Sequence, residues 1–217
     1  MVTKTAVPPQ HSKVVIPDSI TLVINDRKFK FSVGDGANDV SPSETLLDTL
    51  RKRLQFTGSK ESCGVGACGC CAVIVNGDAV AACMTLTADL DGKSVTTLEG
   101  LEDAKKGLDP IQQAFIDEYA FQCGYCTPGI IMVSKALFMK NAHPTPDEIR
   151  EALAGNYCRC ISHYTVLRAL NKVAGNKDAE LSNFVRAVDL VEDPIPVAEE
   201  MYHSPYANGH VCKHSLD

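Results

Sequence analysis

The pattern of hydrophobic and polar positions changes once along the chain, from short β-forming runs before residue 100 to helical periodicity after it. The segments ITLVIN (20–25) and KFKFSV (28–33) are β-rich, and the Asp26-Arg27 pair between them predicts a hairpin. The run CAVIVNGDAVAAC (71–83) holds two apolar segments about Asn76-Gly77, the strongest short hairpin signal in the chain. KSVTTLEG (93–100) predicts one more short strand.

A helix is predicted between the two hairpins, where SPSETLLDTLRKRL (41–54) spaces its leucines along one face. Ser41 and Ser43 are the candidate N-caps of this helix. The second half predicts four helices, in DPIQQAFIDEYA, TPGIIMVSKALFMKN, TPDEIREALAG and SHYTVLRALNKVA. Thr145, with Pro146 next to it and Glu148 three residues on, forms a capping box with proline at the first helical position.

These elements predict an α+β chain of two domains with a tail at each end. Residues 1–18 are punctuated by prolines and lack periodicity, so we expect an N-terminal tail. Residues 19–100 predict a small β-grasp-like domain, and residues 101–175 predict a helical bundle. Residues 176–217 are expected to form a C-terminal extension that contacts another subunit.

Composition and charge limit the possible functions. The chain has 217 residues, of which 45% are hydrophobic and 22% charged, and a net charge of -6, which argues against a nucleic-acid surface. No apolar run approaches the length of a membrane span and the N-terminus shows no export signal, so the cytoplasm is the expected compartment. In a reducing compartment, ten cysteines indicate metal binding rather than disulfides.

The first group of cysteines follows C-x4-C-x2-C with a distant fourth member, which is the plant-type pattern for a [2Fe-2S] cluster. Its members are Cys63, Cys68, Cys71 and Cys83. Gly64, Gly66 and Gly69 allow the loop to wrap closely around a cluster and to present backbone N–H groups to it. A zinc knuckle is the alternative, but the spacing suits it poorly because zinc sites usually pair two C-x2-C arms.

The second group lies at the ends of predicted helices, in QCGYC and NYCRC. Its members are Cys123, Cys126, Cys158 and Cys160. Four thiolates from two separate segments can close around one metal centre, and helix termini stabilise a negatively charged cluster. Taken alone, these four cysteines also suit zinc. Beside the first motif, iron is the preferred interpretation.

Both motifs, in this order and on these domain types, resemble the iron-sulfur subunit of the xanthine oxidase family of molybdenum hydroxylases, which includes aldehyde oxidoreductases and dehydrogenases of N-heterocycles. The resemblance extends from about Ile20 to Ala174. It implies a plant-type ferredoxin-like domain that carries an outer [2Fe-2S] cluster on the first four cysteines. It also implies a four-helix-bundle domain that carries an inner [2Fe-2S] cluster on the second four.

The resemblance further implies partner subunits and a second cofactor. A large subunit is expected to hold the molybdopterin (Mo) cofactor, with Gln122 hydrogen-bonded to the pterin and Cys160 touching its amino group. The amide of Gln122 both donates and accepts hydrogen bonds, which suits the edge of a heterocycle. An ordinary capping role is the alternative for Gln122. An FAD subunit or another acceptor is expected to receive the electrons.

Several positions depart from the family pattern. Cys70 stands where a small residue is usual, and we expect it to be a packed side chain rather than a ligand. Ile161, Ser162 and His163 replace a common Thr-Gly-Tyr, so His163 is a candidate for a packing role or a redox-linked proton role. His210, Cys212 and His214 alternate near the C-terminus, where a loose segment on a partner is preferred to a metal site.

The expected function is electron transfer within an oxidoreductase. The chain shows no nucleotide-binding fingerprint and no nucleophilic triad, so we predict no catalytic residue. A partner subunit oxidises the substrate, expected to be an aldehyde or an N-heterocycle, and electrons leave singly through the inner and then the outer cluster. Two other classes stay open: a stand-alone two-cluster ferredoxin-type carrier without molybdenum, and a zinc-stabilised interaction module.

Overall fold

Two hairpins and one added strand form a mixed sheet in the computed structural model, which describes residues 16–102, 107–161 and 163–176. The five strands of this part of the chain are β1 (Ser19–Ile24), β2 (Arg27–Ser32), β3 (Ala72–Val75), β4 (Asp78–Ala81) and β5 (Ser94–Thr96). Their order across the sheet is β2-β1-β5-β3-β4. The β1 and β5 strands run parallel, whereas the other neighbouring pairs are antiparallel.

Both predicted hairpins are present, and one turn lies a residue earlier than expected. The turn between β1 and β2 is Asn25-Asp26, whose φ angles are 49° and 62°, and Arg27 already pairs with Ile24. A two-residue turn of this kind needs left-handed backbone at both central positions, which Asn and Asp tolerate better than Arg. The Asn76-Gly77 turn is confirmed.

The helix before the cysteine loop is short and changes its winding. α1 spans Leu46–Asp48 and continues as a π-helical segment, Thr49–Arg53. The predicted N-caps are wrong: Thr45 is the cap, and its hydroxyl accepts a hydrogen bond from the Asp48 amide at 3.2 Å. Ser41 and Ser43 instead bond to each other through their hydroxyl groups at 3.1 Å, within the preceding turn.

The four helices predicted for the second half are α2 (Pro110–Asp117), α3 (Thr127–Lys140), α4 (Pro146–Ala152) and α5 (His163–Ala174). The Thr145 capping box is confirmed, and Asp109 forms a second capping box at the start of α2. Short 3-10 turns occur at Ala82–Met84, Thr87–Leu90, Leu98–Gly100 and Leu153–Gly155. Within the described residues, no helix has the length and apolar character needed to cross a bilayer.

The sheet has a hydrophobic layer on each face. One layer packs Leu22, Ile24 and Val95 against the leucines of α1. On the other, Ala72 and Ile74 pack against Met132 and Ala136 of α3. A third cluster joins α2, α3, α4 and α5.

The fold is therefore α+β, as predicted, with α3 seated directly on β3. This contact matters for function because α3 begins at one group of cysteines and β3 begins at the other. Most of the predicted tails, 1–18 and 176–217, lie outside the described residues. The alternating His210, Cys212 and His214 belong to the second of these tails.

Candidate metal centres

The first cysteine loop is anchored by backbone contacts on both sides. The Arg51 guanidinium donates to the carbonyl oxygens of Thr57 and Ser59, at 3.2 and 2.8 Å. The Lys60 amide donates to the Cys70 carbonyl oxygen at 3.2 Å and closes the loop between them. These bonds hold the loop against the end of the π-helical segment.

The four thiols of the first group come together in two pairs. The Cys63 side chain interacts with that of Cys68, and the Cys71 side chain with that of Cys83, strongly enough to shift the pKa of Cys63 and of Cys71. Backbone amides also point at the sulfur atoms, since Val65 N lies 3.5 Å from the Cys63 Sγ and Gly66 N lies 3.3 Å from the Cys83 Sγ. The loop therefore supplies N–H donors to thiolate sulfurs, as an iron-sulfur cluster requires.

Glycine is needed at Gly66 for two reasons. Its φ angle is 72°, in the left-handed region, and a Cβ there would lie 2.8 Å from the Met84 Cγ. Gly64 and Gly69 also have left-handed φ angles, of 67° and 72°. At Gly69 a Cβ would also lie 2.8 Å from the Gly155 oxygen, whereas at Gly64 nothing lies within 4 Å and only the φ angle favours glycine. That the loop wraps closely around a cluster stays a prediction.

The electrostatic environment of this site favours the thiolate form of Cys63. The Val65 amide, with help from the Cys68 thiol, lowers the pKa of Cys63 to about 6. Burial raises the pKa of Cys71 to about 11. Because a metal binds the thiolate form, loading of the site must release the proton of the buried thiol.

The second group is assembled from the loop before α3 and the loop before α5. The Cys160 and Cys123 sulfur atoms lie 3.3 Å apart, and the Cys126 side chain interacts with that of Cys158. The Ile161 amide lies 3.4 Å from the Cys158 Sγ. All four thiols line one cavity of about 200 Å³.

The four cysteines of this second site range from buried to exposed. Cys126 is only 8% exposed, and burial raises its pKa to about 12. Cys123 and Cys160 are exposed, as is the neighbouring Gln122. The Tyr125 amide lowers the pKa of Cys123, and the contact with Cys123 raises the pKa of Cys160. The exposed edge is where a partner can reach the site.

The arrangement of each cysteine group as two pairs of thiols matches the way in which a two-iron cluster is bound. In a [2Fe-2S] cluster four cysteines are shared between two irons, so two thiolates from the protein meet at each iron. Both groups offer two thiol pairs. Among the described residues, no three His, Cys, Asp or Glu side chains converge on the position of a single ion.

Hydrogen bonds join the residues just before Cys158 to the first cysteine loop, a contact that was not predicted from the sequence. The Tyr157 amide donates to the Cys68 carbonyl oxygen at 3.0 Å, and the Asn156 amide group donates to the Gly69 carbonyl oxygen at 3.3 Å. At Gly129 of α3, a Cβ would lie 2.1 Å from that same Gly69 oxygen. The sequence signal that could have pointed to these contacts is that Asn156 and Tyr157 immediately precede Cys158.

The residues that depart from the family pattern have different environments. Cys70 is 5% exposed and belongs to the helical core, in agreement with the predicted packed side chain. His163 is exposed at the start of α5, so the expected packing role is not seen. The side chain of Ser162 lies outside the described residues.

Two families of iron-sulfur domains match the chain. Residues 36–115 match a family described as "2Fe-2S iron-sulfur cluster binding domain", and residues 97–171 match one described as "[2Fe-2S] binding domain". The first match contains Cys63, Cys68, Cys71 and Cys83, and the second contains the other group. The fold and the two sites therefore define an iron-sulfur protein with two cluster-binding parts.

Several curated relatives are named as subunits of oxidoreductases. A probable xanthine dehydrogenase subunit of Bacillus subtilis is 43% identical over 152 residues, which cover 69% of this chain and 87% of the relative. The small FeS subunit of nicotinate dehydrogenase from Eubacterium barkeri is 46% identical over 130 residues, which cover 59% of this chain and 82% of the relative. The chain belongs to the iron-sulfur subunits of the xanthine oxidase family of molybdenum hydroxylases.

Solved structures agree with this assignment. Quinoline 2-oxidoreductase from Pseudomonas putida 86 superposes with a TM-score of 0.66 and 33% identity, over 72% of this chain and 93% of that chain. The aldehyde oxidoreductase from Desulfovibrio desulfuricans gives a TM-score of 0.66 and 34% identity, over 83% of this chain and 19% of that chain. The same fold thus occurs both as a separate chain and as a fraction of a longer one.

Proposed function

We propose that this chain is the electron-transfer subunit of a molybdenum hydroxylase and contributes no catalytic residue of its own. The observation that carries the proposal is the presence of two groups of four thiols, each arranged as two pairs, that touch through one short segment of backbone. When bound, the two [2Fe-2S] clusters supply one-electron redox steps between a two-electron oxidation of substrate and the final acceptor.

The proposed ligands of the outer cluster are Cys63, Cys68, Cys71 and Cys83, and those of the inner cluster are Cys123, Cys126, Cys158 and Cys160. The thiol contacts and the amides directed at sulfur support this assignment. We place the outer cluster in a plant-type ferredoxin-like β-grasp domain, residues 19–100, and the inner cluster in a four-helix-bundle domain, residues 101–175. The sheet and the helices each have a hydrophobic cluster of their own, which supports that division, and a smaller third cluster joins β3 to α3 across it.

The proposed partner is a large subunit that holds the molybdopterin cofactor. Gln122 and Cys160 would face the pterin, which is supported by their exposure at the open edge of the inner site. Tyr125 and Tyr157 are exposed beside them, at 45% and 64%, and amphipathic aromatic rings of this kind are enriched in subunit interfaces. The inner site therefore presents the chemistry expected of a permanent interface.

An aldehyde or an N-heterocycle is the proposed substrate of the complex. Relatives of this chain are named as subunits of nicotinate dehydrogenase and of an aldehyde oxidoreductase. The electron acceptor is proposed to be an FAD-binding subunit or another redox partner on the side of the outer site. We place the complex in the cytoplasm, because a reducing compartment keeps the eight thiols free until iron is loaded.

Metal analysis of the purified native complex tests the proposal. We expect about four irons per copy of this chain together with molybdenum, and EPR signals from two distinct [2Fe-2S] centres after reduction. Iron without molybdenum in a monomeric chain would instead support a stand-alone ferredoxin-type carrier. Zinc without iron would contradict both functions and identify an interaction module.

A further inference from the structure

A buried polar side chain lies where the two cysteine groups meet. Asn156 is 3% exposed and stands two residues before Cys158, a proposed ligand of the inner cluster. Its side-chain amide donates a hydrogen bond to the Gly69 carbonyl oxygen at 3.3 Å, although the two residues are 87 positions apart in the sequence. Buried polar groups in native proteins are almost always hydrogen-bonded, so this bond meets a requirement of the buried amide.

The Gly69 peptide is enclosed on two sides. On one side, a Cβ at Gly69 would lie 2.3 Å from the side-chain nitrogen of Asn156 and 2.8 Å from the Gly155 oxygen. On the other side, a Cβ at Gly129 of α3 would lie 2.1 Å from the Gly69 oxygen. That oxygen also accepts a hydrogen bond from the Ala72 amide at 3.2 Å. The first cysteine loop is therefore held between α3 and the segment that contains Asn156.

The residue after Asn156 connects the two proposed sets of ligands through the backbone. The Tyr157 amide donates to the Cys68 carbonyl oxygen at 3.0 Å, and Tyr157 is covalently bonded to Cys158. Cys68 and Cys158 are thus connected by covalent bonds and one hydrogen bond, without a gap through space. Because electronic coupling falls steeply across each gap, a bonded connection carries an electron better than separated surfaces do.

We propose that Asn156 is a positioning residue for electron transfer between the two clusters, because its side chain holds the Tyr157 amide on the Cys68 oxygen. This inference rests on the proposed function and its ligand assignment. The Tyr157 ring is 64% exposed and contributes little to that placement, whereas Asn156 is anchored on the first loop. No chemical step is added: the one electron that the inner cluster loses is the electron that the outer cluster gains, and Asn156 keeps its protons.

Hydrogen–deuterium exchange of the Tyr157 amide in the purified complex tests the placement. Asn156→Leu keeps a side chain of similar size and removes the donor. An amide exchanges when its hydrogen bond opens, so loss of the neighbouring bond should lower the protection of Tyr157 about two- to tenfold. Asn171→Leu is the matched control, because Asn171 is also fully buried but bonds to Leu167 and Asn176 at the end of α5. It should leave the protection of Tyr157 unchanged.

EPR spectroscopy of the same variants tests the consequence for electron transfer. With both clusters reduced, their magnetic interaction should weaken in Asn156→Leu, and freeze-quench EPR should show slower reduction of the outer cluster. Iron should stay at about four per chain and both reduction potentials should stay unchanged, because no ligand is altered. Asn156→Ser keeps a shorter donor and should show the same changes to a smaller degree, so it replaces Asn156→Leu if that variant does not assemble.

Several results would overturn the inference. Unchanged protection of Tyr157 in Asn156→Leu would mean that Asn156 does not hold this amide, and an equal loss in Asn171→Leu would make the effect one of general stability. Lost protection with an unchanged magnetic interaction and unchanged electron transfer would separate the amide from the transfer. Loss of iron from both Asn156 variants would make the residue necessary for building a site rather than for connecting two sites. An unmodified complex without iron would contradict the proposed function, and the inference with it.

Discussion

Backbone amides point at the sulfur atoms in both cysteine groups, as Val65 N does at Cys63 and Ile161 N at Cys158. Donors of this kind stabilise thiolates before metal arrives and cluster sulfur afterwards. The donors are backbone N–H groups, so the conformation of each loop, and not the side chain of Val65 or Ile161, places them at the sulfur atoms. A substitution at a sulfur atom in a surface loop should therefore remove a cluster without disturbing the donors.

Cys63→Ser tests this at the outer site. The side chain lies on the outer edge of its loop, away from the two main cores, so we expect loss of the outer cluster and little else. Iron should fall from about four to about two per chain while molybdenum stays bound, and turnover with the physiological acceptor should fall at least roughly tenfold. Metal analysis and steady-state kinetics measure both effects.

Cys212→Ala is the control for that experiment, because it removes a thiol that is assigned to no cluster. It should keep all four irons and full turnover. Iron loss in this control would make the C-terminal tail a metal site. Normal turnover of Cys63→Ser with the physiological acceptor would contradict the exit of electrons through the outer site.

The sequence predicted the cysteine groups well and their internal arrangement poorly. Spacing selected the first four thiols, because the plant-type pattern is specific, whereas the second four were assigned from their place beside the first motif and from the family resemblance. Spacing did not predict that Cys126 meets Cys158 or that Cys123 meets Cys160, since those contacts depend on how α3 and α5 pack. The contact of Asn156 with the first cysteine loop was not predicted either, because it is also long-range.

Among the secondary-structure elements, the π-helical segment after α1 is tied to the residues before α1 by an ion pair. The Arg53 guanidinium donates to both carboxylate oxygens of Glu44, each at 2.7 Å, and to the Asn38 carbonyl oxygen at 3.1 Å. The Thr49 hydroxyl donates to the same carboxylate at 2.7 Å. Mainly through the Arg53 bond, the pKa of Glu44 is held below its usual value.

Glu44→Gln should destabilise the chain by about 1–2 kcal/mol, because a charged and bidentate contact is replaced by a neutral one. The folded pKa of Glu44 lies below the unfolded value of about 4.3, so its contribution is fully present above that pH. The deficit of Glu44→Gln should be constant from pH 5.5 to 8 and should shrink as the pH falls below the unfolded value of about 4.3 and through the folded pKa.

The temperature at which the visible absorbance of the clusters bleaches measures this effect in the complex. We expect it to fall by roughly 2–8 °C in Glu44→Gln. Glu151→Gln, the same exchange at an exposed carboxylate of α4, is the matched control and should change little. Equal bleaching temperatures in the two variants would mean that the ion pair adds no stability.

The sequence predicted turns and helix caps correctly where a few adjacent residues encode them. The Asn76-Gly77 turn and the Thr145 capping box are where the sequence placed them, because each is encoded by adjacent residues. The cap of α1 was missed because Thr45 follows two other hydroxyl residues with the same local propensity. Its selection depends on a bridge between Thr45 and Leu86, which is a long-range contact.

The close approach of α3 to the cysteine loop gives a second prediction at this scale. In Gly129→Ala, the new methyl group would meet the Gly69 oxygen at 2.1 Å, and neither backbone can move freely. We expect a loss of about 1–3 kcal/mol and a lower bleaching temperature for both clusters. Gly155→Ala is the control, because no atom lies within 4 Å of its new Cβ. A Gly129→Ala variant as stable as that control would contradict the contact.

In the whole molecule, the two sites differ in how deeply they are built into the fold. Cys126 is 8% exposed, precedes α3 and belongs to the cluster that joins the four helices, whereas Cys63 lies in a surface loop. Metal binding at the inner site should therefore contribute to folding of the helical half. Replacing cysteine by serine should therefore have a larger effect on the structure at Cys126 than at Cys63.

Cys126→Ser should disrupt the molecule more than Cys63→Ser, because it also removes a proposed ligand that would tie α3 to the loop before α5. We expect both lost inner irons and lost helical structure, so that the chain no longer associates with the molybdenum subunit. Circular dichroism and size-exclusion chromatography of the co-purified subunits measure these effects. Cys63→Ser, which should keep its helices and its partner, is the matched comparison. Normal helicity and assembly in Cys126→Ser would show that the helical half folds independently of its cluster.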